Sequence, residues 1–163
     1  MTLRQMIPLN RLFLFCCFFA EFALLVSYWA ELAGNFQLCS LCKWQRLILG
    51  VVLSVSGFGI ALENKKWPAI FLLWLLVSLL LVAGYHLLVQ GGLVVDRCAK
   101  PQNVQTLDDF SSLLHATAPC TVSWSLMGLP AAIYNVAFAL LGIISLKTYR
   151  SLSYSDLRNK RDL

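Results

Sequence analysis

Long apolar blocks alternate with short polar breaks along this chain, and the rhythm predicts its architecture. Residues 12–30 form the first block, interrupted by Glu21 and Ser27. About 20 residues at a rise of about 1.5 Å each cross a hydrocarbon core of about 30 Å. A cleaved leader is the competing reading. It fails because no small-x-small site follows at a sensible place and because Glu21 sits inside the run. The second block covers residues 44–62 and carries Ser54, Ser56, Gly57 and Gly59, small residues that let membrane helices approach closely. A tight charged turn at 63–66 precedes Pro68, which suits the first turn of a helix. The third block, 67–89, stops at Gly91-Gly92. The fourth, 126–146, has Pro130 near its start, and the basic tail 147–163 is expected to fray.

Between the third and fourth blocks lies the longest polar stretch. Leu107, Phe110, Leu113 and Leu114 recur there at helical spacing, which predicts a short amphipathic helix on the membrane surface. No repeat and no second domain is visible. The expected fold is all-α: one polytopic membrane domain over 1–163, an antiparallel bundle of four transmembrane helices, with outer loops at 31–41 and 91–123.

Composition agrees with this reading. Hydrophobic residues make up 59% of the chain, above the roughly 45–50% of ordinary soluble domains. The net charge of +5 needs no nucleic-acid partner, because its placement sets orientation instead. Four crossings put both termini on one side. That side, with the 63–66 turn, holds nine of the 13 Lys and Arg residues, and the other side holds Lys43, Arg46, Arg97 and Lys100. The bias assigns the termini to the cytoplasm. Trp29, Trp44, Trp67 and Trp124 fall near block ends, as an interfacial belt does.

Six cysteines then separate into two sets. Cys16 and Cys17 lie within the first block, where cysteine behaves as a small apolar residue. Cys39, Cys42, Cys98 and Cys120 all fall on the outer side, where disulfides persist. Four thiols permit three pairings. Cys39-Ser-Leu-Cys42 stands at the mouth of the second block, with Gln45 and Arg46 following. A helix beginning near Cys42 would place that thiol beside its positive end and near the Arg46 cation, and both favour the thiolate. A bridge within Cys-x-x-Cys closes too small a loop to stabilise the fold much. Two thiol pairs within reach of each other suit electron relay by thiol–disulfide exchange.

These residues resemble the disulfide bond formation protein B (DsbB) family, thiol oxidases of the bacterial inner membrane. The matching features are Cys39-Ser-Leu-Cys42 with Gln45-Arg46, Cys98 and Cys120 flanking a long outer loop, and Gly128-Leu129-Pro130 after Trp124; Glu21 and Tyr85-His86 also fit. The resemblance implies redox-active disulfides Cys39–Cys42 and Cys98–Cys120. It implies a DsbA-like periplasmic partner, which attacks the second bridge and forms a mixed disulfide at Cys98. It implies a membrane quinone, ubiquinone or menaquinone, as electron acceptor at Cys42. Arg46 would stabilise the thiolate and the charge developing on quinone oxygen, and His86 would belong to the quinone pocket. No metal is expected by this analogy. The family often carries an acidic residue where this chain has Gln45.

Two other readings stand beside it. One is a membrane metal-ion carrier using thiolates, including the adjacent Cys16 and Cys17. The other is a scaffold stapled by structural disulfides. Glu21 is costly within a membrane and is expected either to pair inside the bundle or to handle protons.

Overall fold

The structure is a computed structural model that describes residues 3–34, 39–95, 120, 125–126 and 128–159. Four helices dominate: α1 (Leu3–Gly34), α2 (Ser40–Ala61), α3 (Lys66–Gln90) and α4 (Ala131–Asn159). Each contains a stretch long and apolar enough to cross a membrane. Lipid offers no partner for N–H and C=O groups, so spanning segments must bond internally, and the helix does this. The surface agrees with such a solvent. Phe18, Leu25, Trp29, Phe58, Trp67, Trp74 and Leu81 all stand exposed on the outside of the bundle.

Packing follows a stripe on each helix. On α2 the buried positions are Gln45, Ile48, Leu49, Val52, Ser56 and Gly59. On α3 they are Ala69, Leu72, Leu76, Leu79, Ala83, His86 and Val89. Spacings of three and four keep these residues on one face. Two of the four small residues of the second block, Ser56 and Gly59, face inward, while Ser54 and Gly57 face outward. Gly59 is needed where it stands. The ring of Phe13, itself fully buried, lies so close that a Cβ on residue 59 would meet it at 2.8 Å. Gly59→Ala should therefore destabilise the bundle by about 1–3 kcal/mol. Thermal unfolding in detergent, followed by circular dichroism, measures that loss.

Neighbouring helices in sequence pack against one another, and α4 closes the ring against α1. The α1–α4 seam includes Phe19 and Phe138, stacked at 4.0 Å between centroids. At one end of the bundle, buried Lys65 caps the start of α3 and bonds the side chain of Asn10. The other end carries Cys39, Cys42 and Cys120.

The element boundaries differ from the sequence expectation at several ends: α1 begins at Leu3, α2 at Ser40, and α4 runs on to Asn159, through 147–159 of the tail expected to fray. Two further differences concern the approach to the fourth helix and the end of the first. A small hairpin precedes the fourth helix: β1 (Ser125–Leu126) pairs antiparallel with β2 (Leu129–Pro130). Gly128 takes φ +81 in the turn, a conformation that favours glycine, and α4 starts immediately after Pro130. At the other site α1 continues through Glu31 to Gly34, so Glu31 is helical. Its 32 residues extend about 48 Å, longer than a hydrocarbon core of about 30 Å, and the surplus carries its ends beyond the lipid. The expected surface helix around Leu107 and Leu114 lies outside the described residues, as do Cys98 and Trp124.

Candidate functional site

The helix that bears Cys39 and Cys42 starts earlier than the sequence suggested. Cys39 itself is the N-cap of α2, with extended backbone, and its sulfur accepts the Cys42 backbone N–H at 3.3 Å. The sulfur over the helix N-terminus is thus that of Cys39. Cys42 lies one turn in, and its Sγ is 3.1 Å from that of Cys39. The two stand as a dithiol in contact. Cys39 donates its proton to the Cys42 sulfur. That hydrogen bond, followed by burial, pushes the Cys39 thiol up to about 12, against a lowering contribution from His86.

The two sulfurs have different surroundings. Cys39 is buried with Val89 and Cys120 in a small cluster at one end of the bundle, and Leu41, Val94 and half-buried Cys42 pack against that cluster. Cys42 lines a cavity that reaches down between the helices. The cavity holds about 970 Å³ of empty space, its open mouth included. Phe19, Phe22, Ala23 and Val26 of α1 give it an apolar wall. Phe22 is also half exposed on the outer surface of α1. Polar groups converge at the Cys42 end: Gln45, Arg46, His86 and Asn135.

His86 falls on the buried stripe of α3 and is only 2% exposed. Its partners are side chains, Gln45 of α2, Gln90 of its own helix and the α2 cap residue Cys39, in place of the backbone carbonyl expected of an ordinary helix-end histidine. Gln45 reaches Nδ1 at 3.1 Å, and Asn135 of α4 donates to Gln45 Oε1 at 2.7 Å. With its oxygen so engaged, Gln45 presents its amide nitrogen to Nδ1. Nδ1 is then the acceptor, and the ring proton sits on Nε2. Nε2 faces the Gln90 amide at 2.8 Å and Cys39 Sγ at 3.7 Å. Gln90 Oε1 is buried without a partner when its nitrogen points at the ring. Turning that amide over lets the oxygen accept from Nε2–H and removes the unmet acceptor. The sequence singled out His86 and Gln45. It missed Asn135 and Gln90, although Asn135 is a polar residue set into an apolar run three residues after buried Ala132 and three before buried Phe138.

Arg46 also borders the cavity, but α1 holds it in place. Nε donates to Ser27 Oγ at 2.5 Å, Nη2 to the Ser27 carbonyl at 2.6 Å, and Nη1 to Glu31 Oε2 at 2.5 Å. The Tyr28 ring lies 4.6 Å from the guanidinium carbon. A guanidinium has five N–H donors, and these three bonds leave two for a ligand in the cavity. Glu31 offsets much of the cation's charge, so Arg46 acts here more as an aimed donor than as a bare charge. Ser27 and Glu31 carried no such assignment in the sequence reading.

The remaining candidates are placed as follows. Cys120 is fully buried beside Cys39. Glu21 stands on the exposed face of α1, away from the bundle interior where pairing was one expectation. Cys16 is fully buried in the apolar core, and Cys17 is half-buried beside it. Trp44 is 59% exposed, as an interfacial residue is.

A quinone headgroup needs a flat apolar slot and donors for its carbonyl oxygens. The cavity offers both beside a thiol, so the residues present fit that group. No curated protein matches the chain. The family model of the disulfide bond formation protein DsbB matches residues 9–147. With four apolar helices and a thiol pair at one end of the bundle, the chain belongs to the DsbB family, the membrane oxidoreductases of disulfide-bond formation.

Proposed function

We propose that the protein reoxidises a DsbA-like periplasmic thiol oxidase and passes the electrons to a membrane quinone, ubiquinone or menaquinone, in the bacterial inner membrane. The observation that carries this reading is the two-sided thiol pair. Cys39 is buried with Cys120, and Cys42, packed against the same cluster, also lines an apolar cavity bordered by Arg46, Gln45 and His86. The asymmetric nine-to-four distribution of Lys and Arg supports cytoplasmic termini and periplasmic cysteines.

In the proposed sequence the partner's thiolate attacks the Cys98–Cys120 bridge and forms a mixed disulfide at Cys98. The partner's second thiol resolves it and leaves Cys98 and Cys120 reduced. Their two electrons then move by exchange to the Cys39–Cys42 bridge, and Cys39 is the sulfur suited to receive the attack, because Cys42, which lines the cavity, is then the thiolate released there. The resulting Cys39–Cys42 dithiol returns to the disulfide by losing two electrons and two protons. A bound quinone supplies the acceptor for both. The chain's own groups prepare that loss. Cys39 holds its proton toward Cys42, and His86 Nε2 stands 3.7 Å from the Cys39 sulfur. Gln45, held by Asn135, meets His86 Nδ1, and Arg46 borders the cavity with two N–H groups beyond its bonds to Ser27 and Glu31.

The test is direct. Purified protein is mixed with reduced DsbA-like partner and a soluble quinone, and quinone absorbance is followed. One quinone should be consumed for each partner disulfide formed. Partner oxidation with no quinone consumed would remove the electron-acceptor assignment, and no oxidation at all would remove the activity.

A further inference from the structure

We infer that the reduced Cys39–Cys42 pair, together with His86, is a binding site for a soft divalent cation such as Zn2+, and that forming the disulfide abolishes it. The sulfurs of Cys39 and Cys42 and a ring nitrogen of His86 all lie within 4.8 Å of one another. Zinc bonds of about 2.3 Å to sulfur and about 2.0–2.1 Å to nitrogen, in a tetrahedron, place ligand atoms about 3.5–3.8 Å apart. Cys39 Sγ to His86 Nε2 is already 3.7 Å. Cys39 Sγ to Cys42 Sγ, at 3.1 Å, must open by well under an ångström. Cys42 and His86 both line the cavity, so the fourth position faces into it and is open to a water or another small ligand.

Chemistry selects the ion. Two thiolates and an imidazole suit Zn2+ and related soft cations and not Mg2+ or Ca2+. Binding displaces one proton from each thiol, moves no electrons, and leaves a neutral unit of one divalent cation and two thiolates. A neutral unit suits a buried apolar site. The nearby Arg46 cation is paired with Glu31, which weakens its repulsion of an incoming metal. His86 would coordinate through Nε2, which requires the Gln90 amide to leave that nitrogen and the proton to move to Nδ1. Gln45 and Asn135 can serve that tautomer by turning over together, so that Gln45 Oε1 accepts from Nδ1–H. Metal-bound histidines ordinarily have such a partner. Once the pair is oxidised, neither sulfur remains a thiolate ligand. The metal therefore holds the pair in its reduced form and withdraws it from exchange. That consequence rests on the proposed oxidase reading, whereas the binding itself does not.

The experiment uses the full chain in detergent, with Cys16, Cys17, Cys98 and Cys120 changed to serine, and Co2+ as the spectroscopic probe. Reduced protein should bind one Co2+ per chain, with thiolate-to-cobalt charge transfer in the near ultraviolet and intense tetrahedral bands in the visible. The same chain oxidised with diamide should bind none. Cys39→Ser and Cys42→Ser should each abolish the thiolate-rich spectrum, and Gln45→Leu should weaken binding by about 10–100-fold. Helical circular dichroism of each variant verifies the fold. Reduced chain that takes up no Co2+, or uptake that persists without both Cys39 and Cys42, overturns the site. No quinone enters this measurement, so its failure is distinct from failure of the oxidase reading.

Discussion

Changing Cys42 to serine should abolish electron transfer to quinone while leaving the partner able to form its mixed disulfide at Cys98. The expectation rests on how differently the two sulfurs of the pair are housed. Cys39 is sealed with Cys120 and Val89, and Cys42, packed against that cluster, also borders the cavity. Serine keeps the shape of the side chain and removes the cavity-lining thiol, which can form and break a sulfur–sulfur bond. Quinone consumption should fall to the uncatalysed background. Non-reducing electrophoresis should still show the covalent complex with the partner. Cys98→Ser should give the mirror result: the partner stays reduced, yet the Cys39–Cys42 pair, reduced chemically, is still oxidised by added quinone. Wild-type turnover in either variant would overturn the assigned order of electron flow.

Changing Arg46 to leucine should lower kcat/KM for quinone by about a hundredfold, the loss typical of removing one preorganised donor from a site where charge develops. The guanidinium is locked by Ser27, Glu31 and Tyr28, so its free N–H groups need no reorganisation to meet a carbonyl oxygen. Lysine should not restore the rate. An ammonium lacks the planar fork that meets Ser27 and Glu31 together while still aiming donors into the cavity. The same substitution removes a tie between α1 and α2, so the readout must separate chemistry from folding. Steady-state kinetics with quinone as the varied substrate, beside thermal unfolding, does this. Unchanged kcat/KM in Arg46→Leu would show that the cation only fastens the two helices.

Glu31→Gln offers a finer test of the same geometry. It keeps the hydrogen bond and removes the carboxylate charge that offsets the guanidinium. If Arg46 works chiefly as an aimed donor, quinone kinetics should change by well under the loss seen in Arg46→Leu.

His86 illustrates how burial and chemistry become joined in this fold. Leu72, Leu76, Leu79, Ala83 and His86 follow one another at steps of four, three, four and three. A residue on that stripe is buried whatever its polarity, and a buried imidazole must find partners. Gln45 lies on the corresponding stripe of α2 and Asn135 on that of α4, so three buried polar side chains meet. Interhelical bonds of this kind in membranes contribute about 0.6–2 kcal/mol each. Their larger consequence here is to settle which nitrogen of His86 faces Cys39.

The chain's sequence alone determined the four apolar spans, the separation of Cys16 and Cys17 from Cys39, Cys42 and Cys120, and the family. Those properties depend on local composition and spacing along the chain, because lipid imposes one rule on every residue it touches. Cys39, Cys42, Arg46 and His86 were legible for the same reason: a thiol pair, a cation and an imidazole stand out at the ends of apolar runs. Tertiary structure alone decided what those groups face. Cys39 became the helix cap and Cys42 the cavity residue only because α2 begins at Ser40. Arg46 turned toward α1 only because Ser27 and Glu31 came opposite it, and Asn135 joined the site only because α4 packs beside α2 and α3. Such relations are set by helix rotation and register across gaps of many residues, which no local pattern encodes.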